Sequence, residues 1–203
     1  SWHKELISRT DTKRIRLKKA VIYLNLGTPK APNAWAVSRY LRQFLMDPFV
    51  LDIPYIFRWL LVNLIIVPFR SSQSAHAYKK VWLREGSPLL INSKNLVAKL
   101  DNYLKKNHGA AWDCFLAMRY GQPSIESVLQ TVVASGYSEI YLLPAYPQYA
   151  LSSTETAFVE AERVIQHLGF KGPVYKLQDY YSEPGFIHAV AEKIKQAQAD
   201  FKP

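Results

Sequence analysis

In this 203-residue chain, the residues best suited to chemistry stand just after apolar runs. Arg119 and Tyr120 follow residues 112–118 (WDCFLAM). Tyr146, Gln148 and Tyr149 follow residues 139–145 (EIYLLPA). Leu26-Gly27-Thr28-Pro29 closes the run that begins at Ala20 (AVIYLNL). If the three runs are neighbouring parallel strands, their carboxyl ends share one rim, where open α/β sheets bind ligands. Such a rim is aromatic and cationic. It suits a flat apolar ligand carrying carboxylates, because a guanidinium forks onto carboxylate and rings stack on rings. Buried structural use of the same residues stays open at this point.

Arg119 is costly to bury without a carboxylate. Strand alternation puts Asp113 on its face, but about 20 Å away along an extended strand. That leaves a ligand, Glu155 or solvent as its partner.

Other chemistries find less support. No G-x-G-x-x-G follows the first run, and no G-x-x-x-x-G-K-[ST] occurs, so the common nucleotide cradles are missing. None of His3, His76, His108, His167 and His188 ends an apolar run. His188 and Glu192 have i,i+4 spacing, which fits a metal pair or a surface ion pair. There is no nucleophile elbow. The single cysteine, Cys114, excludes an intrachain disulfide and a Cys-rich zinc or iron–sulfur site within the chain.

The elements that must position the rim follow from periodicity. Residues 20–26 are β-branched-rich and do not alternate, as in a central parallel strand buried on both faces. Asn33 caps a helix with Val37, Tyr40, Leu41, Phe44 and Leu45 on one face, and Asp47-Pro48 stops it. Ser71 or Ser72 is expected to cap a helix towards Trp82. A further helix is expected from about Ser93, through Val97, Leu100 and Leu104, to Gly109. Ser124 caps a helix carrying Ile125, Val128, Leu129 and Val132, which ends before Gly136. Residues 152–155 read as a capping box for a helix through Phe158, Ala161 and Ile165. A short strand is expected at 173–177. The last helix opens at Ser182 and Pro184, with Phe186, Ile187, Val190 and Ile194 on its face. Strands alternate with helices, which predicts an α/β fold: a Rossmann-like open parallel sheet with helices on both faces. Residues 1–19 read as a basic extension and 20–203 as one domain.

Hydrophobic residues make up 49% of the chain and the net charge is +10. The charge allows nucleic acid, an anionic membrane surface or an anionic small molecule as partner. The basic residues are dispersed, which argues against nucleic acid. Residues 1–12 have no secretory pattern, so a cytoplasmic or membrane-associated location is expected. Both ends read as boundaries of a piece.

Residues 49–70 (FVLDIPYIFRWLLVNLIIVPFR) are apolar on nearly every side. The space between Pro54 and Pro68 is shorter than the ~20 residues a span needs, and it holds Arg58. Such a helix is either a plain buried core helix or one that covers two surfaces, its own domain and a lipid interface or a flat ligand. Tyr55, Trp59 and Leu60, with Arg58 and Arg70 near, read as an interfacial lip.

Five segments, in order, carry a resemblance. They are Leu24-Asn25-Leu26-Gly27-Thr28-Pro29; Phe44-Leu45-Met46-Asp47-Pro48 on to Pro54; Gly86-Ser87-Pro88-Leu89; Met118-Arg119-Tyr120-Gly121-Gln122-Pro123-Ser124; and Pro144-Ala145-Tyr146-Pro147-Gln148-Tyr149. Over most of its length the chain resembles the N-terminal half of ferrochelatase, whose members insert ferrous iron into protoporphyrin IX in haem biosynthesis. The resemblance implies one of two similar chelatase domains. It implies porphyrin contacts at Leu26, Arg70, Ser87, Arg119, Tyr120 and Tyr149, and a membrane-touching lip at 49–70. Ferrous iron and porphyrin enter as substrates, with no cofactor assigned. Ala150 stands where the family often has Ser, and Glu155 where a small residue is usual.

Metal insertion needs a base for the two pyrrole protons. The resemblance assigns that work to a later His motif and Glu, and neither motif occurs here. No catalytic residue is therefore expected in these 203 residues. The missing C-terminal half is an expected partner, and the chain alone is expected to be inactive. The alternative reading is a non-catalytic flavodoxin-like module for an anionic flat ligand.

Overall fold

The computed structural model describes residues 17–200, so all but the last three residues of the expected extension at 1–19 lie outside it. Four strands form the sheet: β1 (Lys19–Gly27), β2 (Trp112–Tyr120), β3 (Glu139–Pro144) and β4 (Val174–Lys176). Their order is β2-β1-β3-β4, and every pairing is parallel. The non-alternating first run is therefore a central strand. Leu24 pairs with Ala117 on one side and Pro144 on the other, which brings three carboxyl ends together.

Each face of the sheet has its own helices. Ala20, Ile22, Leu24, Ala117, Ile140 and Leu142 are buried under α5 (Ile125–Ala134) and α6 (Thr156–His167). Leu116 and Met118 pack on the opposite face against Val97 of α4 (Pro88–His108). This is the α/β arrangement expected, with helices on both faces. Truncating a fully buried residue such as Ile22 or Leu142 to Ala would cost about 2–5 kcal/mol. On the α4 face, over β3 and β4, lies an apolar cavity of about 370 Å³ lined by Val21, Leu104, Tyr141, Leu143 and Leu177.

Two caps stand where the sequence puts them. Asn33 Oδ1 accepts from the Ala36 N–H at the start of α1 (Ala34–Leu45), and Ser124 Oγ accepts from the Ser127 N–H at the start of α5.

Several boundaries differ. Pro68 does not end the lip helix, and neither Ser71 nor Ser72 caps a new one. Instead α2 (Tyr55–Leu60), a π-helical turn (Leu61–Ile66) and α3 (Val67–Val81) run on continuously. A proline ring clashes with the carbonyl four residues back in an α-helix, and the wider π turn accommodates it. The turn has a second effect. Arg58, Val62, Val67, Ser71 and Ala75 are buried at spacings of four, five, four and four. The extra residue in the five-residue step keeps them on one stripe. Ser71 Oγ donates back to the Val67 carbonyl, as a mid-helix serine does.

Ser93 does not start α4, which opens at Pro88, where the missing N–H costs nothing. Residues 152–155 are no capping box. A π-helical turn (Leu151–Glu155) takes their place, and the residue at its N-cap, Ala150, offers no side-chain acceptor. β2 reaches Tyr120, so Arg119 and Tyr120 are its last two residues and do not lie beyond it. The last helix, α7 (Pro184–Asp200), keeps Ile187, Val190 and Ile194 exposed.

Candidate functional site

β1 ends at Gly27, which has a φ of 113° that only glycine adopts without strain. Just before it, Asn25 is buried because its amide is used twice. Its Nδ2 donates to Ser93 Oγ on α4 at 3.0 Å, and its Oδ1 accepts from the Leu26 N–H. Just after it, Thr28 Oγ1 donates to Ser87 Oγ at 2.8 Å. Ser87, the N-cap of α4, is 4% exposed and makes no side-chain capping bond, so its oxygen serves this contact. Tyr40, from α1, donates to the Gly27 carbonyl.

At the end of β2 a single carboxylate collects four donors. Asp47 Oδ2 accepts from Arg119 Nη2 at 2.6 Å, from the Tyr120 hydroxyl at 2.8 Å and from the Thr156 hydroxyl. Its Oδ1 accepts from the Phe49 N–H. Arg119 Nε also donates to Thr156 Oγ1 at 2.8 Å. The Asp47 side chain is 2% exposed and that of Arg119 is 18% exposed. Burial alone would raise the Asp47 carboxyl. The bonds from Thr156, Phe49 and Tyr120, with the Arg119 charge, outweigh it and hold the group below its ordinary range. Burial, and then the bond to Asp47, push the Tyr120 phenol well above its usual value.

This network corrects the list of partners for Arg119. Its carboxylate is Asp47, and neither Glu155 nor solvent supplies it. Asp113 instead pairs with Lys105 and accepts from Tyr137. Sequence reasoning takes Asp47 as a helix stop and as part of a resemblance segment, with no role for its side chain. The available signal was that Asp47 is the sole acid between Ala34 and Leu51, next to the aromatic face of α1. Thr156 gave no signal at all.

Aromatic rings back the site. Tyr120 is fully buried and meets Phe44 and Tyr40 edge-on, with centroids 5.3 and 6.5 Å apart. In the loop after β3, the hydroxyl of Tyr146 is buried with no protein partner among the described residues. Tyr180 donates to the Ala145 carbonyl.

The expected site residues divide into three groups. Leu26 (half-buried), Ser87, Arg119 and Tyr120 gather at the ends of β1 and β2 and the start of α4. Tyr149 lies in the loop after β3, 44% exposed, and donates to Glu155 Oε2 at 3.0 Å. Arg70 is exposed on α3, with no hydrogen bond or ion pair to the strand-end group among the described residues.

The lip residues Tyr55, Trp59 and Leu60 are exposed, along with Ile56, Phe57, Leu64 and Phe69. Arg58 does not join an interfacial belt. It is 7% exposed, and its Nη1 donates to the Leu51 and Ile53 carbonyls, which ties the lip helix to the turn before it. Arg42 Nε reaches Asn63 Oδ1 from α1. No described helix is long and apolar enough to cross a membrane. Among the described residues no group of three or more His, Cys, Asp or Glu side chains is placed to hold a metal ion. Cys114 is half-buried, and burial pushes its thiol up to about 12.

The arrangement is a wall of hydroxyls, rings and one partly covered guanidinium, beside an exposed apolar helix. Comparison with known proteins bears on it directly. The family model "Ferrochelatase" matches residues 18–203. A ferrochelatase of Chromobacterium violaceum is 44% identical over 181 residues, covering 88% of this chain and 49% of the relative. One from Methylobacillus flagellatus is 40% identical over 178 residues, covering 88% and 52%. One from Coxiella burnetii is 39% identical over 186 residues, covering 92% and 50%. The chain thus spans about half the length of the curated relatives it matches.

Proposed function

The chain belongs to the ferrochelatase family, and from that premise we propose that it forms the porphyrin-cleft wall and lip of an enzyme that inserts ferrous iron into protoporphyrin IX. The observation that carries the reading is the convergence of Leu26, Ser87, Arg119 and Tyr120 at the carboxyl ends of two adjacent parallel strands. That is where an α/β sheet holds its ligand. Leu26 supplies an apolar surface for the macrocycle. Arg119 supplies a donor edge for a carboxylate, since Nη1 has no protein partner among the described residues. Tyr149 and Arg70 are further porphyrin contacts in this reading. The bases that accept the pyrrole protons belong to the half of the enzyme that these residues do not include.

The lip is a peripheral contact in this reading. The exposed stripe of Tyr55, Trp59 and Leu60 rests at the headgroup level of a membrane, with the site open towards an apolar porphyrin supply. In this reading the enzyme is cytoplasmic and membrane-associated.

The test is turnover. The full-length protein, incubated with porphyrin and ferrous or zinc ion, should shift the Soret band catalytically, and the 203-residue chain should not. No turnover by the full-length protein would overturn the reading, and turnover by the chain alone would overturn the division of labour.

A further inference from the structure

We propose that Asp47 is a positioning residue, which fixes the Arg119 guanidinium and the Tyr120 hydroxyl at the porphyrin wall and ties both to the base of the lip. The claim rests on the function proposed above, because it assigns Asp47 an indirect part in recognising the porphyrin. Its basis is geometric. Asp47 belongs to none of the elements it joins. It stands in the turn between α1 and the lip, and its Oδ1 is held by the Phe49 N–H two residues on. Its Oδ2 takes the last two side chains of β2, which alternate to opposite faces of the sheet. It also takes the first residue of α6. One carboxylate thus spans the end of a strand and locks the wall to the chain that leads into the lip.

The hold on Arg119 is selective. Nη2 goes to Asp47 and Nε to Thr156, which leaves Nη1 as the edge of a planar group with no partner among the described residues. A guanidinium fixed at two corners loses little freedom when the third binds a carboxylate. With Asp47 gone, the long side chain must be ordered by the ligand itself. Opposed to this is a charge effect. Asp47 offsets the Arg119 charge, so removing it would strengthen attraction for an anion if position did not matter.

The two effects have opposite signs, and the near-isosteric Asp47→Asn separates them. In the full-length protein, dissociation constants would be measured by tryptophan quenching for deuteroporphyrin IX and for its dimethyl ester. The wild type should prefer the acid. D47N should lose roughly tenfold or more of that preference, the effect of losing one charge-assisted hydrogen bond. Adding Arg119→Ala to D47N should remove no more, because the two act as one unit. A merely structural Asp47 would weaken acid and ester alike, and that result overturns the proposal. Tighter binding of the acid by D47N also overturns it, in favour of charge masking.

A second measurement needs no porphyrin and no variant. In the ¹⁵N spectrum of the unliganded wild type, the Arg119 Nη groups should give separate signals because rotation is held. Averaged signals overturn the positioning claim. If the wild type shows no preference for the acid while these signals stay separate, the porphyrin reading has failed and the hold on Arg119 has not.

Discussion

Gly27 and Tyr120 face each other in register at the carboxyl ends of β1 and β2, and a methyl group on Gly27 would overlap the Tyr120 carbonyl oxygen. The next pair along repeats the approach, since a Cβ on Gly121 would lie 2.8 Å from the Thr28 carbonyl oxygen. Both glycines have positive φ. The strand ends that build the wall therefore close on each other with no room for side chains.

The first prediction follows from that closeness. Gly27→Ala meets backbone, which cannot rotate away, and also carries strain of about 1–3 kcal/mol at its φ. The expected loss exceeds about 3 kcal/mol of stability, read as a lower urea midpoint or as insoluble protein. A wild-type midpoint would show that the two strand ends separate easily.

The second prediction concerns acid. A carboxyl held below its ordinary value in the folded state stabilises the protein at pH above its unfolded value, near 4. That contribution is lost as pH falls through the lower folded value. Asp47→Asn removes it and leaves Arg119 and Tyr120 with a poorer partner, at a cost of about 3–5 kcal/mol near neutral pH. The gap between wild type and variant should therefore narrow below pH ~4. Melting curves from pH 7 down to acid would check this, and a gap that stays constant would mean that Asp47 carries no charge-dependent stability.

Much of this was legible in the sequence. The unbroken apolar run 20–26 reads as a central strand, and the caps at Asn33 and Ser124 carry their own hydrogen bonds. The lip was only half legible. Its two-sided apolarity predicts one buried and one exposed face, but Pro68 suggests a break that a π turn avoids. The Asp47 network was not legible. Its members are Asp47, Arg119, Tyr120 and Thr156, which lie up to 109 residues apart. No local period links them, and Asp-Pro reads more simply as a helix stop. Ser152–Glu155 fails for a related reason. Its pattern fits a capping box, but buried Thr154 and the Tyr149–Glu155 bond use those side chains elsewhere.

The third prediction concerns the lip. Phe57 and Phe69 are 63% and 77% exposed, on a chain whose net charge is +10. The full-length protein should bind anionic vesicles weakly, and less so as salt rises. Replacing both Phe57 and Phe69 with Ala should weaken binding with little loss of melting temperature, because most of each side chain is already exposed. Co-sedimentation with vesicles measures it. Resistance to carbonate extraction would contradict a peripheral lip, and equal binding to neutral and anionic vesicles would remove the role of charge.

The fourth prediction separates the two duties of Arg119. Its pair with Asp47 is nearly buried, so Arg119→Ala strands a carboxylate and should lower the melting temperature as well as porphyrin use. Loss of activity in that variant alone therefore says little about contact with the ligand. Arg119→Lys is the sharper change. A lysine ammonium can still reach one oxygen of Asp47, which restores much of the pairing. It cannot hold Asp47 and Thr156 and still present a third, coplanar donor, because it lacks the planar fork. Arg119→Lys should therefore recover most of the melting temperature lost in Arg119→Ala, and little of the porphyrin KM. Differential scanning fluorimetry and steady-state kinetics on the full-length protein give the two readings. If lysine restores both, Arg119 serves the fold alone and the wall recognises its ligand through other groups.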